Sequence, residues 1–176
     1  LDIAKLCFEE NEQINITEYT QICMLTEEVA LLKVLQSKGF VFDVCTGLSL
    51  GEYAAVVASG AMSMEDAFKV VRKRGIYMQE AVPTGGAMTA VLGLDIEKIE
   101  KACEETEGIV SIANYNCPGQ TVITGEAAAV EAAAAKCSEA GAKRCIPLKV
   151  SGPFHSAMLS GAGEKLGEAL KDVTIH

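Results

Sequence analysis

A serine set between two glycines, in C-T-G-L-S-L-G-E-Y at 45–53, is where residue types and spacing first suggest chemistry in this chain. In acyl-transfer enzymes the G-x-S-x-G pattern holds a nucleophilic serine at a sharp strand-to-helix turn, so it gains meaning only with a strand before it and a helix after it. Such a serine also needs a base to take its proton. The chain has two histidines, His155 in S-G-P-F-H-S and His176 at the last position. His176 has no following structure to hold it, so any catalytic imidazole must be His155, and Ser49 followed by His155 is the chain order of other elbow enzymes. The third candidate is Arg74. It lies on the stripe Met64, Ala67, Phe68, Val71, Gly75, Met78 and Val82, which repeats at helical spacing. A guanidinium aimed at an interior requires an anion, because a buried unpaired charge is costly. Either an internal carboxylate such as Glu52 or a carboxylate on a substrate meets that demand.

The elements that must hold these residues can be read around them. The first forty residues read as helix, with A-L-L-K-V-L-Q-S-K-G stopping at Gly39. F-V-F-D-V-C-T at 40–46 predicts a short buried strand, and E-Y-A-A-V-V-A-S-G at 52–60 predicts a helix closed by Gly60. Strand, turn and helix are the setting a nucleophile elbow requires. Gly47 and Gly51 are expected to keep side chains out of a close strand-to-helix approach, while the Leu50 N–H is placed to bind an oxyanion. The Arg74 helix starts at Ser63, whose hydroxyl can cap it, with Asp66 three residues on. Lys69, Arg72 and Lys73 point away from its stripe and read as a solvated face.

Residues 86–150 change character. Strand-like G-A-M-T-A-V-L-G-L, helical I-E-K-I-E-K-A-C-E-E, strands I-V-S-I-A-N-Y and Q-T-V-I-T-G, an alanine-rich helix ending at Gly141 and strand-like K-R-C-I-P-L-K-V spell βαββαβ. That is the pattern of a ferredoxin-like split βαβ unit. The sequence therefore predicts an α/β chain in which residues 1–84 with 151–176 form a large α/β subdomain and residues 85–150 a ferredoxin-like insertion. N-C-P-G-Q at 116–120 and S-G-P-F at 151–154 read as turns.

Composition narrows the partners. Across 176 residues the net charge is −9, which argues against nucleic acid, because binding a phosphate backbone needs a basic surface. No apolar run approaches the roughly 20 residues that span a bilayer, and the N-terminus lacks a signal-peptide pattern, so the expectation is a cytoplasmic protein without a membrane partner. Seven cysteines form an odd set without a C-x-x-C pair and read as reduced structural thiols. No metal is expected, since neither histidine sits near paired cysteines at ligand spacing.

Four spaced motifs, G-x-S-L-G-E-Y at 47–53, R-G-x-x-M at 74–78, N-Y-N-C-P-G-Q at 114–120 and G-P-F-H-S at 152–156, together resemble the malonyl-CoA:acyl carrier protein transacylases and the acyltransferase domains of polyketide synthases. The resemblance runs from about residue 5 to the end of the chain. It implies an α/β-hydrolase-like large subdomain carrying a ferredoxin-like insertion, and malonyl transfer from coenzyme A to the phosphopantetheine thiol of acyl carrier protein in fatty acid biosynthesis. Ser49 would carry the acyl group as an ester, His155 would be its base and Arg74 would hold the malonyl carboxylate. Leu48, Leu50, Met78, Asn116 and Phe154 fall in the same motifs as substrate-contacting positions, with Phe154 crowding a 2-methyl branch. No permanently bound cofactor is implied; the coenzyme A thioester is a substrate.

Three departures from the family pattern stand out. Leu48 occupies a position usually held by histidine, the N-terminal G-Q-G-x-Q turn that completes the oxyanion hole has no match, and the chain stops before the segment that orients the catalytic histidine. The expectation is a chain truncated at both ends, with Leu50 as the oxyanion donor it retains. Lys69, Arg72, Lys73, Lys143, Arg144 and Lys149 are either a docking patch for an acidic carrier or plain solvated surface. Two other functions fit the motifs: a serine esterase or thioesterase, and a non-catalytic carrier-binding module.

Overall fold

The computed structural model describes residues 1–176. The chain is α/β and divides into two compact units, residues 1–77 with 162–176 and residues 78–161. The first contains α1 (Ile3–Phe8), α2 (Thr17–Ser37), α3 (Gly51–Ala58) and nearly all of α7 (Ser160–Leu170). The helix α4 (Met64–Ala81) passes from one unit into the other between Tyr77 and Met78. No helix is long and apolar enough to cross a membrane.

The start of α4 follows from its cap. The Asp66 N–H donates to Ser63 Oγ at 3.1 Å, satisfying one of the first-turn donors that a helix cannot satisfy itself. From there Ala67, Val70, Val71 and Gly75 are buried, and Ala67 and Val71 pack with Leu25 and Val29 of α2 and with Leu50 and Met62. At Gly75 the two helices nearly touch: a Cβ there would lie 2.9 Å from Glu18 Cα and 3.1 Å from the Thr17 carbonyl oxygen. Any side chain would force the first turn of α2 away from α4.

Arg72 departs from the expected solvated face. Its guanidinium donates to the Glu18 carbonyl, approaches the Glu18 carboxylate at 3.8 Å and lies 5.2 Å from the centre of the Tyr19 ring. The residue works as a clasp on the first turn of α2, because a long side chain at that position can lie along the neighbouring helix instead of extending into water. Lys69 and Lys73 are exposed as expected.

The segment 40–46 is a larger correction. It is not a strand: it has no regular secondary structure, with Phe40, Val41, Phe42 and Val44 all exposed. Its β-branched and aromatic residues favour an extended chain, but a strand needs a neighbour to satisfy its ladder, and the four strands of this chain pair among themselves.

Those strands lie in the second unit. β1 (Gly86–Leu92), α5 (Ile96–Glu104), β2 (Val110–Cys117), β3 (Gln120–Glu126), α6 (Ala127–Glu139) and β4 (Arg144–Pro147) follow in sequence, and the sheet order is β2-β3-β1-β4 with every pair antiparallel. Val91 and Ile123 from the sheet meet Ile99 and Cys103 of α5 and Val130, Ala133 and Cys137 of α6 in one core. The strand expected at 143–150 is shorter, Arg144–Pro147. Asn116 and Cys117 belong to β2, so the hairpin turn is Pro118-Gly119 alone, with Cys117 facing Gln120.

Candidate active site

Ser49 stands one residue before the αR residue that precedes α3, with φ of 53°. Left-handed backbone is sparsely populated for a residue with a Cβ, so the turn holds the serine against a local preference. Gly47 makes this possible. A Cβ at 47 would lie 2.1 Å from the carbonyl carbon and oxygen of Gly51, so only glycine allows the chain to fold back this tightly. Gly51 is different from what the sequence suggests, because a Cβ there would meet only Glu28 Oε1 at 4.0 Å. The clash argument therefore holds for one glycine of the pair.

Leu50 is buried and precedes α3 in helical conformation. The Gly51, Glu52 and Tyr53 N–H groups donate to the carbonyls of Leu48, Ser49 and Leu50 at 2.9, 3.3 and 3.1 Å. The Leu50 N–H stands one position before this series, at the positive end of the helix. Leu48, by contrast, is 70% exposed. Cavities of about 580 Å³ and about 700 Å³ share Cys45, Thr46 and Gly47 in their walls, the first also lined by Glu52 and Tyr53 and the second by Glu28, Leu48 and Leu50. The Glu28 Oε2 atom is buried without a hydrogen-bond partner, and burial, helped by the charge of Glu27, raises the Glu28 pKa.

Arg74 reaches Ser49 directly. One terminal nitrogen of its guanidinium donates to Ser49 Oγ at 3.2 Å and the other to the Gln21 amide oxygen, while the Tyr53 ring centre lies 5.7 Å away. Burial lowers the Arg74 pKa, and Tyr53 and Glu52 act against that shift. These hydrogen-bond partners are neutral. Glu52 affects the charge from a distance and does not close the internal ion pair that the sequence left open. The sequence reading missed Gln21, although a signal existed: Thr17, Gln21 and Leu25 repeat every four residues along one stripe of α2, and two of those three are polar.

His155 belongs to the second unit, as do Met78, Asn116 and Phe154. It too has left-handed backbone, with φ of 59°. The chain leaves β4 with the Leu148 N–H bonded to the Met88 carbonyl at 2.9 Å, and Pro153 is fully buried against the backbone of Gly86 at the start of β1. The Phe154 N–H donates to the Gly152 carbonyl at 3.0 Å. Just beyond, Ser156 Oγ accepts from the Met158 N–H at 3.1 Å and fixes the next turn. His155 is thus an exposed residue on a firmly anchored turn. Asn116 lies exposed near the end of β2 and donates to Gln120 Oε1 at 3.0 Å; Met78 and Phe154 are half-buried. Lys143, Arg144 and Lys149 are exposed. No cluster of three His, Cys, Asp or Glu side chains is arranged to hold a metal ion.

Known proteins resemble this chain over nearly its whole length. The malonyl CoA-acyl carrier protein transacylase of Bacillus subtilis is 47% identical over 173 residues, covering 96% of this chain and 55% of that protein. Its namesake from Escherichia coli strain K12 is 48% identical over 169 residues, covering 94% and 55%. The crystal structure of MCAT from Streptococcus pneumoniae superposes with a TM-score of 0.93 at 50% identity, over 99% of this chain and 58% of that one. A malonyl-transacylase in complex with its type II polyketide synthase acyl-carrier protein gives a TM-score of 0.96 at 43% identity, over 99% and 58%. The chain spans about half the length of the curated relatives it matches. The family model described as acyl transferase domain matches residues 2–176, and the chain belongs to that family.

Proposed function

We propose that the protein carrying this chain transfers a malonyl group from coenzyme A to the phosphopantetheine thiol of acyl carrier protein, through an ester on Ser49. The observation that carries the reading is the Arg74 guanidinium, hydrogen-bonded to Ser49 Oγ at 3.2 Å and to a neutral amide. A cation beside the nucleophile suits an acyl group that ends in a carboxylate, and a neutral ester has no use for it. The names of the relatives from Bacillus subtilis and Escherichia coli point the same way.

In this reading His155 takes the Ser49 proton as Oγ attacks the malonyl thioester carbonyl, and the Leu50 N–H stabilises the oxyanion that forms. The tetrahedral intermediate collapses, the C–S bond breaks, and coenzyme A leaves as its thiol with the proton from His155. The carrier thiol then attacks the serine ester, and Ser49 recovers its proton. Leu48, Met78, Asn116 and Phe154 are proposed to line the acyl and pantetheine path, with Phe154 disfavouring a 2-methyl branch by about 1 to 3 kcal/mol. The finer architecture belongs to the same proposal: an α/β-hydrolase-like large subdomain at 1–84 and 151–176 with a ferredoxin-like insertion at 85–150. The order β2-β3-β1-β4 supports the second part of it. A cytoplasmic location without nucleic acid or membrane partners fits the net charge of −9.

Malonyl-CoA mixed with the protein is expected to leave a malonyl ester on the Ser49 peptide, read by intact mass and peptide mapping, and none in Ser49→Ala. An ester that persists in Ser49→Ala would overturn the assignment.

A further inference from the structure

We propose that Thr17 and Gln21 are positioning residues that aim the Arg74 guanidinium and keep its charge available, so that they set how the enzyme handles acyl groups with a free carboxylate. This rests on the reading of Arg74 as the carboxylate clamp.

The geometry forms a short chain. Gln21 Nε2 donates to Thr17 Oγ1 at 2.8 Å, one helical turn back on α2, and Gln21 Oε1 accepts from one terminal nitrogen of Arg74. The other terminal nitrogen donates to Ser49 Oγ at 3.2 Å. A guanidinium offers donors only. It must therefore meet the oxygen end of the amide, which turns the nitrogen end to the Thr17 hydroxyl, and the bond that this hydroxyl accepts holds the amide in place. A flipped amide would point its N–H groups at Arg74 and its oxygen at Thr17.

Thr17 and Gln21 are each 5% exposed, so water is largely excluded from replacing either one. The bare backbone at Gly75 lets α4 rest on Thr17 and Glu18, and Arg72 clasps the same turn of α2. The anchor under Arg74 is thus built from both helices.

The amide at 21 also matters for what it lacks. A carboxylate in the same shape would neutralise Arg74 and occupy the donors that a substrate carboxylate needs. Gln21 holds the guanidinium with a dipole and leaves the net positive charge in place.

The test compares malonyl-CoA with acetyl-CoA as donors to the full protein that carries this chain, with thermal unfolding of each variant recorded alongside. Thr17→Val is expected to raise KM for malonyl-CoA by roughly three- to tenfold, the worth of one hydrogen bond between neutral groups, with kcat within about twofold. Acetyl transfer should be unchanged, and Thr17→Ser should restore malonyl handling. Gln21→Glu should lower malonyl kcat/KM by about a hundredfold while sparing acetyl. Equal losses for both donors, or wild-type malonyl kinetics in the folded variants, would overturn the proposal. Arg74→Ala separates the two readings. If it lowers malonyl selectively and the Thr17 and Gln21 variants do not, only the relay fails; if Arg74→Ala itself shows no selectivity, the carboxylate-clamp reading fails with it.

Discussion

Single residues carried most of the legible information about the site. Ser49, His155 and Arg74 stand out as candidates because each has a rare setting: a glycine-bounded turn, the one histidine inside the chain, and a charge on an apolar stripe. Gln21 and Thr17 were passed over because an uncharged polar residue on a mostly apolar helix gives no comparable alarm, and its meaning depends on which residue of another helix it faces. Glu28 was equally silent in sequence. Its carboxylate is disfavoured in the folded chain, so its folded pKa lies above its unfolded value and the native state binds the proton more readily. The sign follows directly: ionised Glu28 is a cost at neutral pH, and that cost disappears as pH falls through its folded pKa towards the unfolded one. Glu28→Gln is expected to raise Tm at pH 7, with the gain over wild type shrinking as the unfolding series moves to acid pH. A gain that is constant across the series would assign it to something other than this ionisation.

At the scale of elements, the periodic patterns served well wherever a segment meets its partner nearby in sequence. The helices α3, α4, α5 and α6 and the strands β1 and β3 lie close to where their spacing placed them. The failure at 40–46 has a physical cause, because a run such as F-V-F-D-V states only a preference for extended backbone, whereas strand status is conferred by a second chain segment alongside. The elbow between that segment and α3 gives a sharp test. Gly47→Ala drives a Cβ into the Gly51 carbonyl and should cost at least about 3 kcal/mol, with loss of acylation at position 49. Gly51→Ala places a methyl at ordinary contact distance, 4.0 Å from Glu28 Oε1, within the first turn of a helix and should add about 0.5 to 1 kcal/mol of stability. Denaturant midpoints read both, and similar losses in the two would refute the asymmetry.

For the molecule as a whole, the two units differ in how completely they bury their apolar residues. The core between the sheet, α5 and α6 is closed, with Val91, Ile99, Ile123 and Cys137 each fully buried. The other unit exposes Leu31, Val34, Phe40, Val41, Val44 and Leu48. Local stability follows buried contacts and paired backbone. Hydrogen exchange in this chain should accordingly be slowest at Val122 and Ile123 and fastest along 41–47, and uniform protection across the two would contradict this ranking. Such differences lay beyond the sequence, where V-I-T and F-V-F look equally apolar.

Ser49 and His155, one in each unit, carry positive φ without being glycine. Replacing either with glycine would relieve that backbone preference, by an amount on the order of 1 kcal/mol, while deleting a side chain that the proposed mechanism needs. A library screened for stability alone would therefore drift towards glycine at these two positions, enriching well-folded variants without the proposed nucleophile or base. On the proposed function, any effort to harden this protein must hold both positions fixed or screen for acyl transfer at every round.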